Sequence, residues 1–210
     1  TEGVDLPTIG LFAILTSPYL FKFLWAPFID NLPLPFLTKL YGRRRGWLFF
    51  SQVGLIFAIF GLGSSNPSLN LSFTALMAFC VALFSATQDI VIDAYRIEIL
   101  KEDEQGAGAA MIIFGYRTGN LVAGFFGLLI ANTYGFMPAY WTMGLLVLCG
   151  TVAALYYGEP ISKISNQLVP KNKSSTKIDM VKEWCLTAII KPFQDFTRRH
   201  YWFLILFFVI

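Results

Sequence analysis

Long apolar runs separated by short polar segments dominate this 210-residue chain. They cover about Thr8–Ile29, Trp47–Gly63, Ser72–Tyr95, Gly106–Ala131 and Tyr140–Tyr157, and another starts at Phe203. Several approach or exceed the roughly 20 residues that a helix needs to cross a bilayer. None alternates at period two, so the pattern predicts helices rather than a strand barrel. The expected fold class is an all-α polytopic membrane protein. Pro18 and Pro27 fall inside the first run, where proline kinks or breaks a helix and frees carbonyls.

Composition strengthens the same reading. The chain is 56% hydrophobic with a mean hydropathy of +0.60. Only 14% of it is charged, against roughly a quarter in a soluble domain. Basic residues are absent from segments 1–7, 64–71 and 132–138 and concentrate at Arg43, Arg44, Arg45 and after residue 159. By the positive-inside rule the arginine loop and the later segment are cytoplasmic. The net charge of +3 therefore sits in loops and does not argue for nucleic acid. Segment 161–199 reads as a basic cytoplasmic connector. Its second half places Ile178, Val181, Cys185, Ala188 and Ile189 on one face, as an interfacial amphipathic helix does. His200 belongs with Arg198, Arg199, Tyr201 and Trp202 to an anchor before the last run. The chain starts at Thr1 rather than Met and stops inside an apolar run at Ile210, which reads as a fragment of a longer protein.

Charge inside the runs is where chemistry is expected, because ionisable groups in a span are costly. Ser85, Asp89, Asp93 and Arg96 recur at i, i+4, i+8 and i+11, so they share one helix face. Arg117, beside Tyr116, lies well inside the fourth run. Rise per residue puts it roughly 18–20 Å from the helix start near Glu104, and Asp89 roughly 10 Å above Arg96, so the two are expected to meet directly or through water. Three readings stay open for Asp89, Asp93 and Arg117. They are a structural ion pair, a proton-coupling site, or a clamp in which Arg117 holds an anionic solute group. Lys22, among Phe21, Phe23, Leu24 and Trp25, is either a lysine snorkelling to the headgroups or a cation lining a path.

Two further groups have structural or gating readings. Asp30, at a helix C-terminus, faces the negative dipole end and needs a cation, for which Arg43, Arg44 and Arg45 are nearest. Those arginines either set topology or form a gating latch. Gly115, Gly119, Ala123 and Gly127 recur every four residues, a spacing that lets two helices approach closely in lipid. Arg117, about 200° around from Gly115, is then expected to face a polar cavity.

No enzyme constellation accompanies these features. The His and Cys spacings do not match a metal site, no Gly-rich phosphate loop appears, and the single histidine builds no triad. No cofactor is expected. An intramembrane aspartyl protease needs facing carboxylates, usually from different spans, whereas Asp89 and Asp93 share one helix face.

The stretches PYLFKFLWAPFID (Pro18–Asp30), YGRRRGW (Tyr41–Trp47), ATQDIVIDAYRIEIL (Ala86–Leu100) and GAGAAMIIFGYRTG (Gly106–Gly119) resemble the AmpG branch of the major facilitator superfamily. Weaker agreement continues through KPFQDF (Lys191–Phe196). FLWAP and TQDI also occur in acetyl-CoA transporter relatives, and DAYR with the later GYR favours the AmpG side.

The resemblance implies an incomplete major-facilitator helical bundle. Residues 1–160 would hold helices 2–6 of the N-terminal half, 161–199 the central loop, and 200–210 the start of helix 7. It implies a proton-coupled transporter in the bacterial inner membrane that imports anhydro-muropeptides for peptidoglycan recycling. A symporter of another metabolite and a truncated, non-transporting remnant are the alternatives. Its partners would be the lipid bilayer, protons and a sugar-peptide solute. Tyr19, Trp25, Gln88, Tyr116, Arg117 and Asn120 are the candidate solute contacts, with aromatic faces for the sugar and Arg117 for a carboxylate.

Overall fold

The computed structural model describes residue 10, residues 12–156 and residues 158–159. The basic connector, the amphipathic helix and the start of a last span therefore lie outside the described residues. So do the polar N-terminal residues.

A 3₁₀ turn, Phe12–Thr16, leads into α1 (Ser17–Asn31). A short α2 (Leu37–Tyr41) precedes α3 (Arg43–Gly63) and α4 (Leu71–Ile99). Another 3₁₀ turn, Glu102–Glu104, opens α5 (Gln105–Tyr134), and α6 (Phe136–Tyr156) follows. Helices α3 and α4, the run Glu102–Tyr134, and Phe136–Ala153 within α6 are long and apolar enough to cross a membrane. The protein is an all-α, multi-pass membrane protein.

Local chemistry explains the boundaries. Pro18 stands in the first turn of α1, where a missing N–H costs nothing, so the expected long first helix begins only at Ser17. Pro27 is accommodated inside the helix. Helix α3 starts at Arg43 rather than Trp47, so all three arginines belong to its first turn. The Asn70 side chain accepts the Phe73 amide at 3.0 Å and caps α4. At the far end of α4, Gln105 Nε2 donates to the Leu100 carbonyl at 3.0 Å, and Arg96 Nη1 donates to the Gln105 carbonyl at 3.3 Å. Gly42 has φ +92° and ψ 171°, a backbone region that glycine alone adopts freely.

Helix α3 is the middle of the assembly, packed on α4 along one side and on α6 along the other. Helix α1 lies on α4, and α5 lies on α6. Glycines let these helices close up: a Cβ at Gly54 would run into Phe84, one at Gly61 into Met77, and one at Gly144 would sit 2.8 Å from the Phe60 ring. Ile29, Leu48 and Val91 form a buried cluster joining α1, α3 and α4, flanked by Trp25, Trp47, Ile90 and Ile92.

The expected small-residue interface is placed differently. Among the described residues nothing approaches a Cβ at Gly115 or Gly119 within 4 Å, Ala123 is exposed, and Gly127 meets only Met143, at 3.8 Å. Helix α5 touches α4 chiefly near their connecting turn and then leaves it to pack on α6.

Candidate functional site

The ends of α1, α3 and α4 that carry the arginine loop converge on one guanidinium. Arg44 Nη1 lies 2.6 Å from Asp30 Oδ1. Its Nε and Nη2 both donate to Glu98 Oε1, at 2.9 and 2.5 Å. Arg43 Nη2 stands 3.8 Å from the same Glu98 oxygen, and Arg43 Nη1 donates to the Asp30 backbone carbonyl. The side chains of Arg44 and Glu98 are only 7% and 4% exposed. A buried charge is tolerated only when paired and hydrogen-bonded, and Arg44 meets that condition with carboxylates from two other helices.

Glu159 completes this end of the bundle. It follows α6, yet its two oxygens accept the Arg44 and Arg45 amides at 2.8 and 3.1 Å. A carboxylate there satisfies unpaired N–H groups and complements the positive end of the α3 dipole. Tyr95 O–H donates to the Gly158 carbonyl at 2.7 Å, and Arg45 Nη2 to the Leu155 carbonyl at 2.8 Å. Three segments distant in sequence, at the ends of α1, α4 and α6, are thereby fastened around Arg43–Arg45.

Sequence reasoning reached Asp30 and the arginines and missed Glu98 and Glu159. Both acids sit at the polar edge of an apolar run, where a carboxylate usually means a solvated helix end. The one available signal was charge balance: a single Asp30 does not neutralise three arginines.

Deeper in the bundle, α1 and α4 carry a polar strip. Tyr19 O–H donates to Ser85 Oγ at 2.5 Å. Asp89 is half-buried and lies within electrostatic reach of Lys22 and Asp93. The buried Gln88 Oε1 has no hydrogen-bond partner. Asp93 is exposed and forms no ion pair among the described residues. Trp25, considered above as a sugar platform, packs instead against the Ile29–Leu48–Val91 cluster.

Tyr116, Arg117 and Asn120 are exposed on α5. Tyr116 comes within electrostatic reach of Tyr19. Arg117 forms no ion pair or hydrogen bond among the described residues, so the expected meeting with Asp89 does not occur within them. Counting rise placed the two at similar depths, but depth along a helix says nothing about lateral separation. The divergence of α5 from α4 supplies that separation.

No group of three or more metal-ligating side chains is present among the described residues. The arrangement offers charge pairing and hydrogen bonding.

The profile of the Major Facilitator Superfamily matches residues 2–210. The chain is 38% identical over its whole length to the anhydromuropeptide permease of Escherichia coli strain K12, of which it covers 39%. It is 29% identical over its whole length to the putative transporter AmpG 4 of Rickettsia felis, of which it covers 48%. It is also 33% identical, over 70% of its length, to the putative transporter AmpG 1 of Rickettsia bellii. No solved structure matches it. With a superfamily profile over nearly every residue, membrane-length helices and charges gathered at one end of the bundle, the chain belongs to the Major Facilitator Superfamily and is a multi-pass protein of the bacterial inner membrane.

Proposed function

We propose that the chain is part of a proton-coupled importer of anhydro-muropeptides that serves peptidoglycan recycling. The observation that carries this reading is 38% identity along the whole chain to an anhydromuropeptide permease. The polar strip between α1 and α4 supports it, since polar side chains inside a transporter bundle mark solute and ion paths. The described helices α1 and α3–α6 correspond to helices 2–6 of the first six-helix half, and the central-loop and helix 7 expectations fall outside the described residues. Alternating access needs two halves that rock about a central site, so transport belongs to the full-length protein.

Placement supports the following roles. Asp89, with Asp93 one turn away, carries the proton: its half-buried carboxylate responds to the charges that move around it. Tyr19, Gln88, Tyr116, Arg117 and Asn120 contact the solute, and Arg117, with no partner among the described residues, is free to clamp a carboxylate. Asp30 and Arg43–Arg45, joined by Glu98, form the gate that closes the arginine-rich end.

Labelled anhydro-muropeptide uptake into vesicles bearing the full-length protein tests the reading. Uptake is expected to collapse with a protonophore and in Asp89→Asn. Protonophore-insensitive uptake with an unchanged pH profile in Asp89→Asn refutes the coupling role. Absence of muropeptide uptake alongside carriage of an acyl-nucleotide refutes the solute assignment.

A further inference from the structure

Helices α1 and α4 run side by side in the same direction, and their contacts keep a nearly constant register. Toward the starts of the contact, Tyr19 bonds to Ser85, 66 residues on. At the ends, Asp30 and Glu98, 68 residues apart, share the Arg44 guanidinium. Lys22 lies one turn beyond Tyr19, and Asp89 one turn beyond Ser85. Their separation of 67 residues fits the same register, so Lys22 stands opposite Asp89.

The surroundings say what such a lysine does. An ammonium flanked by Phe21, Phe23, Leu24 and Trp25 is costly in lipid unless a negative charge answers it. The Asp89 carboxylate does so electrostatically. Yet no ion pair within 4.0 Å joins them among the described residues, so the ammonium is not held in contact by this carboxylate. Gln88, next to Asp89 in the chain and about 100° around the helix from it, holds a buried carbonyl oxygen with no donor among the described residues. The strip thus presents a half-buried cation that its counter-charge does not contact among the described residues. A solute carboxylate answers such a cation.

We propose that Lys22 is the working cation of this polar strip, balancing Asp89 at rest and taking a carboxylate of the solute when the solute is bound. The proposal rests on the transport reading for the solute's identity, and on α1–α4 geometry for the Lys22–Asp89 pair. Arg117 then holds a different point of the solute.

The test uses the full-length transporter. Uptake of labelled anhydro-muropeptide is compared with that of an analogue whose stem-peptide carboxylates are amides. Lys22→Met is expected to raise KM about tenfold or more for the acid, the size of a lost charge-assisted hydrogen bond, and to change KM little for the amide. Lys22→Arg is expected to restore most of the affinity. An unchanged KM for the acid, or equal losses for both solutes without rescue by arginine, overturns the carboxylate role.

Thermal unfolding of the purified protein in detergent tests the pair without any solute. Lys22→Met and Asp89→Asn are each expected to lower Tm, and the double variant to fall no further than the worse single one. Additive losses overturn the counter-charge. Should the wild type carry neither solute, the transport reading fails, while the unfolding cycle still decides whether Lys22 and Asp89 are partners.

Discussion

Helices α3 and α5 are both long and apolar, and neither is capped by the side chain of its own N-cap residue, yet they have opposite surroundings. Helix α3 has neighbours on two sides and buries Leu48, Leu55 and Ala58, along with the polar Ser51 and Gln52. Helix α5 is 30 residues long against 21 for α3, and none of its residues is buried among those described. Their arginines differ in the same way. Arg44 is enclosed by carboxylates from two other helices, whereas Arg117 stands exposed midway along α5. Apolarity takes a helix into the bilayer, but its neighbours decide what its polar residues do there. On α3 a charge fastens helices together; on α5 it has no partner among the described residues.

The largest effect that tests this contrast is expected from Arg44→Ala in the full-length protein. Removing one partner strands Glu98 with its burial cost, and the loss is expected to be about 3–5 kcal/mol, read as a large fall in Tm. A fall no greater than that of Arg117→Met would break the comparison. Next is Gly42→Ala, which places a side chain in a glycine-only backbone region and drives its Cβ into Glu159. A loss of about 1–3 kcal/mol is expected, together with weaker protection of the Arg44 and Arg45 amides in hydrogen exchange. Removing the α4 cap with Asn70→Ala is expected to cost about 1 kcal/mol, with fraying confined to the first turn of that helix. The smallest stability effect belongs to Arg117→Met, within about 0.5 kcal/mol, while muropeptide uptake falls sharply. A stability loss as large as that of Arg44→Ala would mean that another part of the protein closes on α5 and makes Arg117 a fastener as well.

The spans were legible because bilayer thickness imposes a length on apolar runs, and α4, α5 and α6 begin and end within a few residues of the runs that announce them. Helix α3 reaches back to Arg43 because its first turn lies in the polar zone that the arginines occupy, beyond its apolar stretch. The candidate site was half legible. Asp30 needed a cation and had one within reach of the next turn, so a local argument found it. Glu98 and Glu159 lie 54 and 115 residues from Arg44, and no local pattern announces contacts of that span. Arg117 misled in the opposite direction: its depth was calculable, but α5's departure from α4 was not. The Tyr19–Ser85 bond belongs with the missed acids, since a tyrosine between apolar residues does not name its partner.

The grip of Glu159 on the first amides of α3 carries a consequence for motion. One carboxylate covers two N–H groups at the point where Arg44 leaves the backbone to hold Asp30 and Glu98. Drawing Glu159 away exposes the positive end of α3 and adds repulsion beside a guanidinium that is already confined. The clasp on the α6 side and the clasp on the α1–α4 side are therefore expected to weaken together, each depending on the charge that the other holds in place.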